Sequence, residues 1–145
     1  MANALSLPFP DNHFDAAISE CVVCLIQDKQ KAFNEKVRVL KIGGKVVMHD
    51  VVSLIPMPKV MTEDERLYCG CIGGAVSVEE NVRIMEKAGL TNIETVDLAR
   101  ENKKLLNRTI LEQALELEDE KEFQEIVSFV RKGGIGYTLF SGTKR

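Results

Sequence analysis

The sequence lacks a long apolar run. Its best one, from Val51 to Met57, contains a serine and a proline and is far shorter than the ~18 apolar residues of a membrane span. The first eight residues, Met-Ala-Asn-Ala-Leu-Ser-Leu-Pro, also lack the basic region and the long apolar core of a secretory signal. These two absences predict a cytoplasmic protein without a membrane helix.

Positive charge and aromatic residues are also scarce. There are 19 lysines and arginines against 22 aspartates and glutamates, the net charge is -3, and there is no tryptophan. The pI is about 5.5, so nucleic acid and anionic membranes are poor partners. Hydrophobic residues make up 45% and charged residues 28% of the 145 residues, which is ordinary for a globular protein. We therefore expect one domain over residues 1–145.

The four cysteines form two close pairs. Their sequences are Cys21-Val-Val-Cys24 and Cys69-Gly-Cys71. Because no export signal precedes them, we expect reduced thiols and not structural disulfides.

The hydrophobic pattern predicts alternating strands and helices. Phe14–Ser19 has the pattern of a short buried strand, and Asp28 precedes an amphipathic helix that ends near the glycines Gly43 and Gly44. The following segment, Lys45–Val52, is a mostly apolar strand. A strand, a helix and a strand with short connections are typical of a parallel crossover.

The rest of the chain continues this alternation. The predicted elements are a long linker over 53–76, a helix that starts with the capping box Ser77-Val-Glu-Glu80, a strand over 91–98, a helical tract over 101–131 and a strand over 137–141. This order favours an α/β fold with a mostly parallel sheet. Ligands of such sheets bind at the carboxyl ends of the strands, where both cysteine pairs are expected.

Several motifs of the chain resemble those of class I S-adenosylmethionine-dependent methyltransferases, and the quinone-biosynthesis and arsenite methyltransferase types above all. The matching segments are Leu7-Pro-Phe-Pro-Asp-Asn-His-Phe-Asp15, Ala17-Ile-Ser-Glu20, Arg38-Val-Leu-Lys-Ile-Gly-Gly-Lys45 and Val47-Met-His-Asp50. The resemblance is strong over residues 1–98 and weaker over 99–145, the helical tract and the final strand. Ile42 stands where the family usually has proline.

The resemblance implies a partial Rossmann-like methyltransferase sheet. It contains strands four to seven of the family's seven, with flanking helices. The amino-terminal cofactor-binding half, with the glycine-rich turn and the acidic residue that holds the ribose, is absent from this sequence. We therefore expect a single truncated methyltransferase-like domain.

The resemblance also implies a cofactor and the residues that contact it. The cofactor is S-adenosylmethionine. Asn3 and Ala4 match the Asp-Ala pair that contacts adenine in the family, and an asparagine can still accept a hydrogen bond from the adenine amine. Ser19 and Glu20 match the residues beside the methionine moiety.

By the same resemblance, Cys21 and Cys71 are catalytic arsenic ligands. Their settings, Ser19-Glu-Cys21 and Gly70-Cys-Ile-Gly-Gly-Ala75, match the cysteine settings of arsenite methyltransferases. Trivalent arsenic is soft, and soft ions prefer thiolate sulfur. No role is assigned to Cys24 or Cys69. Buried structural thiols, a thioredoxin-like redox pair and a four-cysteine zinc site remain open alternatives.

The implied truncation leaves the strand Phe14–Ser19 as an exposed apolar edge. Such edges pair readily with other strands, so we expect a homodimer or a complex with a separate amino-terminal half. The leading function is methyl transfer to arsenite or to a small organic acceptor such as a quinone precursor. The alternative is a non-catalytic half-domain or a thiol metal-binding module that needs a partner chain.

Overall fold

The computed structural model describes residues 2–145, except for the side chains of residue 69 and of residues 99–103. Strands and helices alternate along this described chain, as the hydrophobic pattern predicts. The strands are β1 (Phe14–Glu20), β2 (Leu40–Ser53), β3 (Leu90–Asp97) and β4 (Ile135–Lys144). The helices are α1 (Lys29–Val39), α2 (Lys59–Glu63), α3 (Glu65–Cys69), α4 (Val78–Lys87), α5 (Ala99–Ala114) and α6 (Glu120–Arg131), and a short 3₁₀ turn spans Val23–Leu25.

The strands form one sheet in the order β1-β2-β4-β3. β1 and β2 are parallel, which confirms the predicted crossover through α1, whereas β4 runs antiparallel to β2 and to β3. Three strands therefore share one direction and the last is reversed. The expectation of a mostly parallel sheet holds for strand direction, but two of the three pairings are antiparallel.

β1 lies at one end of this sheet. It pairs with β2, and no other described strand lies on its second side. The side chain of Ile18 in this strand is 72% exposed. The described chain therefore has the apolar strand edge that the sequence predicts.

The junction between α1 and β2 differs from the prediction. The helix ends at Val39 and the strand begins at the next residue, Leu40, so no glycine turn ends the helix. Gly43, with a φ of 78°, lies further on, where the pairing of β1 with β2 becomes irregular. The glycines therefore lie at a bulge in the sheet, and the predicted glycine turn at the end of the helix is wrong, although the helix ends close to the predicted position.

The two faces of the sheet pack against different helices. On one face, a core around Phe33, Met48 and Phe140 packs against α1 and α4. On the other face, a core around Val51 and Ile126 packs against α2, α3, α5 and α6. Both faces of β2 are therefore covered, as its nearly continuous apolar sequence predicts.

The linker predicted over 53–76 is more ordered than expected, because it contains α2 and α3. Met61 and Leu67 from these helices are fully buried in the core. The helical tract that follows β3 divides into α5 and α6 near the acidic segment 116–120. None of the helices in the described part of the chain is long and apolar enough to span a membrane.

Candidate functional site

Cys21 lies directly after β1, in the first turn beyond the carboxyl end of the sheet. Its φ is 49°, which is unusual for a residue other than glycine. Its backbone N–H donates to the carbonyl oxygen of His49 in β2 at 2.9 Å. The end of β2 therefore holds this turn in place and directs the Cys21 side chain.

Cys71 lies in the loop between α3 and α4 and faces the same turn. Its φ is 68°, and its thiol lies 3.7 Å from the carbonyl oxygen of Cys21. A Cβ atom at Gly74 would overlap with the carbonyl oxygen of Cys24. The two loops thus pack closely enough that glycine is required at the contact, and the predicted pair of cysteines is brought together.

Asp50 connects the end of β2 with the Cys21–Cys24 segment. Its carboxylate accepts hydrogen bonds from the backbone N–H groups of Val23 (2.8 Å), Cys24 (3.2 Å) and Val51 (2.9 Å). The residue is only 2% exposed. Asp50 is therefore a buried anion that fixes the loop of the first cysteine pair.

The pKa values of the Cys21 and Cys24 thiols are raised above their ordinary value. Burial is the main cause that raises the pKa of Cys21; the hydrogen bond from Tyr137 opposes it, and the charge of Asp50 adds to it. Burial, followed by hydrogen bonding to Asp50, also raises the pKa of Cys24, with a further contribution from Cys71. Ligands that need thiolates must therefore displace protons here.

Two lysines of α1 lie near this buried charge. Burial lowers the pKa of Lys36 to about 8, although the charge of Asp50 opposes that shift, and its Nζ donates to the Ser19 hydroxyl at 2.7 Å. Burial also lowers the pKa of Lys29, whose Nζ donates to the carbonyl of Ile26 at 2.7 Å. The neighbourhood of the thiols is thus desolvated and contains charges of both signs.

The residues expected to contact the cofactor form only one side of a site. Ala4 and Lys36 line a cavity of about 270 Å³ beside β1, below the ~300–1,000 Å³ typical of small-molecule pockets. The side-chain oxygen of Asn3 accepts a hydrogen bond from the Leu5 N–H at 2.9 Å. Ser19 is bonded to Lys36, and Glu20 is exposed. Alone, these residues do not enclose S-adenosylmethionine, and their cofactor roles stay predictions.

The alternative thiol sites fit the structure poorly. Cys21, Cys24 and Cys71 are free thiols. Among the described residues, no cluster of three or more histidine, cysteine, aspartate or glutamate side chains could hold a metal ion, and the side chain of Cys69 lies outside them. The first cysteine pair also does not open an α-helix, because α1 begins only at Lys29, whereas a thioredoxin-like motif requires it.

Tyr137 lies in the site, although no motif or local pattern in the sequence points to it. The hydroxyl of Tyr137 contacts the thiol of Cys21, and its ring centroid lies 4.3 Å from that of His49. The residue reaches this position because β4 pairs with β2, with Tyr137 opposite Val51. A contact between residues 116 positions apart depends on this pairing, which local patterns do not specify.

The partial sheet and the thiol site at the carboxyl ends of β1 and β2 agree with the methyltransferase class that the sequence resemblance implies. A methyltransferase-domain family matches residues 1–89. The chain therefore belongs to the class I S-adenosylmethionine-dependent methyltransferase family, and the recognition from its motifs is confirmed.

Individual relatives agree with this assignment. The arsenite methyltransferase of Halobacterium salinarum is 36% identical over 88 residues, which cover 61% of this chain and 22% of that protein. The ubiquinone/menaquinone biosynthesis C-methyltransferase of Shewanella sediminis is 43% identical over an 84-residue alignment that covers 46% of this chain and 34% of that protein. The chain thus spans well under half the length of these curated relatives.

Solved structures support the fold. Geranyl diphosphate C-methyltransferase from Streptomyces coelicolor, in complex with Mg²⁺, geranyl-S-thiolodiphosphate and S-adenosyl-L-homocysteine, superposes with a TM-score of 0.72 at 20% identity. The match covers 100% of this chain and 50% of that one. The partial Rossmann-like fold predicted from the sequence is therefore confirmed.

Proposed function

We propose that this chain provides the acceptor side of S-adenosylmethionine-dependent methyl transfer, and that the acceptor is trivalent arsenic bound by Cys21 and Cys71. The contact between the two cysteine loops, in which the Cys71 thiol lies 3.7 Å from the Cys21 carbonyl, carries this proposal. The similarity to arsenite methyltransferases over 61% of the chain favours arsenic over an organic acceptor.

The binding step is a ligand exchange at arsenic. Arsenite, As(OH)₃, reacts with the two thiols: two S–As bonds form, two As–O bonds break, and each thiol proton leaves with a hydroxyl group as water. Oxidation states do not change in this step. Since burial keeps the Cys21 thiol protonated, its proton is available to the leaving hydroxyl.

The chain's own residues orient this acceptor. Asp50 fixes the loop of Cys21 through its backbone hydrogen bonds, and Gly74 allows the loop of Cys71 to approach. S-adenosylmethionine, when bound, supplies an electrophilic methyl group. Fixed orientation of two reactants is a large source of rate enhancement, so these positioning contacts are the contribution of this chain.

Calorimetric titration with arsenite tests the thiol site. We expect the unaltered chain to bind arsenite, and Cys21→Ser and Cys71→Ser to lose that binding, because serine oxygen is a poor ligand for a soft ion. Cys69→Ser is the matched control and should still bind. Binding that survives in Cys21→Ser or Cys71→Ser contradicts the proposed ligand pair.

Titration with S-adenosylmethionine tests the second part of the proposal. The small cavity beside β1 favours the alternative function, a non-catalytic thiol module. Cofactor binding by the isolated chain supports autonomous methyl transfer. Absence of binding at millimolar concentration rejects it and leaves the thiol module.

We also infer that the isolated chain self-associates through the open edge of β1. Backbone groups of this strand face outward, and Ile18 is 72% exposed beside them. An exposed apolar strand edge is stabilised by pairing with another strand. A second molecule of the chain can supply that strand, because it carries the same edge.

A further inference from the structure

Tyr137 is the side chain of β4 that enters the thiol site. Its hydroxyl contacts the Cys21 thiol, and its ring packs against His49 with an interplanar angle of 53°. The thiol of Cys71 approaches the backbone carbonyl of Cys21. Cys21 therefore contacts both an aromatic residue of the sheet and the second cysteine loop.

The position of Tyr137 is set by rigid parts of the fold. Its backbone lies in a continuous ladder with β2, opposite Val51, and its carbonyl accepts a hydrogen bond from the Leu98 N–H at 2.8 Å. Its neighbours Gly136 and Thr138 are buried. The backbone N–H of Cys21 is in turn held by the carbonyl of His49 in β2, so both partners of the contact are anchored to the sheet.

We propose that Tyr137 is a positioning residue that donates a hydrogen bond to the sulfur of Cys21 and holds it in the orientation needed to share a ligand with Cys71. The role in ligand sharing rests on the proposed arsenite function. The Tyr137–Cys21 contact itself does not, because it exists in the free protein. A tyrosine hydroxyl can donate a hydrogen bond to sulfur, so the contact with Tyr137 restricts the direction in which the Cys21 sulfur points.

The surrounding charges give this contact a measurable effect. The groups that face Cys21 are Asp50 and His49 from β2, Glu20 from β1, Cys71 from its loop and Tyr137 from β4. Burial and the charges of Asp50, Cys71 and Glu20 raise the pKa of Cys21, whereas the hydrogen bond from Tyr137 lowers it. Removal of the hydroxyl should therefore leave Cys21 more difficult to ionise.

The first test is the pH dependence of alkylation of Cys21 by iodoacetamide, followed peptide by peptide with mass spectrometry in Tyr137→Phe. We expect the midpoint for Cys21 to move to higher pH and its rate at mildly alkaline pH to fall about tenfold, the effect of one pKa unit. The profile of Cys71 in the same sample is an internal control. Ser141→Ala removes a hydroxyl from the same face of β4 and should leave both profiles unchanged.

A reciprocal measurement keeps the proposal testable if Tyr137→Phe does not fold. The Cys21 contact helps to raise the pKa of Tyr137, so the ultraviolet titration of the two tyrosines in Cys21→Ala should show one phenol ionising at lower pH than in the unaltered chain. Unchanged thiol profiles in a folded Tyr137→Phe, or an unchanged phenol titration in Cys21→Ala, overturn the proposal.

The arsenite titration separates this inference from the proposed function. If the unaltered chain binds arsenite, Tyr137→Phe should bind it at least several-fold more weakly, and equal affinity contradicts the role in ligand sharing. If the unaltered chain does not bind arsenite, the proposed function fails. The alkylation and phenol titrations then still decide whether Tyr137 controls Cys21.

Discussion

Among single residues, Asp50 connects the fold with the chemistry of the thiols. Its buried carboxylate accepts three backbone hydrogen bonds and fixes the loop that carries Cys21 and Cys24. The same negative charge raises the pKa of both thiols. One side chain thus orders the site and also adds to the effect of burial, which is the main cause of the raised thiol pKa values.

Asp50→Asn separates these two effects. The amide has one acceptor oxygen, so its NH₂ group would face either the N–H of Val51 or the N–H groups of Val23 and Cys24, and each unsatisfied buried group costs about 1–3 kcal/mol. We expect the free energy of unfolding to fall by an amount of this order in urea denaturation. In the folded variant, the alkylation midpoint of Cys21 should move to lower pH because a repelling charge is gone. A midpoint that stays in place would contradict the electrostatic role of Asp50.

Gly74 decides whether the two cysteine loops can touch. A Cβ atom there would overlap with the Cys24 carbonyl, which is backbone and cannot rotate away. We expect Gly74→Ala to lower the free energy of unfolding by about 1–3 kcal/mol and to weaken arsenite binding, because the loop of Cys71 must move. The control is Gly43→Asn: nothing lies within 4 Å of its added Cβ, and asparagine tolerates a positive φ. Equal stability of Gly74→Ala and the unaltered chain would refute the close packing.

At the scale of secondary-structure elements, the starts of the helices follow from local sequence. Asp28 accepts from the Lys31 N–H at 2.9 Å, and Ser77 accepts from the Glu80 N–H at 3.1 Å, as their spacing predicts. The return half of the capping box does not form, because the Glu80 carboxylate pairs with Arg83. Caps depend on neighbours within one turn, which is why they can be predicted from the sequence.

Strand pairing was less predictable than the caps. The hydrophobic pattern located the four strands of the described chain, and the family motifs singled out Cys21 and Cys71 as candidate ligands. Neither showed that Gly43 lies in a sheet bulge or that Tyr137 reaches Cys21, since both depend on long-range register. Hydrophobic periodicity specifies which face of an element is buried, whereas the partner of each strand is chosen by the packing of the whole chain.

The open edge of β1 gives a prediction about assembly. Ile18→Lys places a charge on an exposed strand edge, a substitution that opposes edge-to-edge pairing. We expect sedimentation velocity to show the unaltered chain as a self-associated species and Ile18→Lys as a monomer. Leu115→Lys, at a residue with a similar exposure of 71%, should behave like the unaltered chain. A monomeric unaltered chain at high concentration would refute self-association through this edge.

At the scale of the whole molecule, two kinds of buried titratable group have opposite effects on the free energy of unfolding as the pH becomes alkaline. Burial lowers the pKa of Lys36 to about 8, below the ~10.4 of an unfolded lysine. Between these values the unfolded chain binds more protons, so the Lys36 contribution to stability rises with pH. The pKa of Cys24 is raised above its unfolded value of ~8.5, so its contribution is fully present below that pH and is lost above it.

Lys36→Met removes only the contribution that rises with pH. In thermal unfolding, the stability of this variant should therefore fall more steeply than that of the unaltered chain as the pH increases from about 8 towards ~10.4. Lys132→Met, which removes an exposed lysine, is the matched control and should follow the unaltered chain. Cys24→Ala should have the opposite effect and flatten the decline, because its buried thiol no longer resists ionisation. If the melting temperatures of Lys36→Met and of the unaltered chain change in parallel with pH over this range, Lys36 is solvated. The desolvated surroundings inferred for the thiol site would then be wrong on the α1 side.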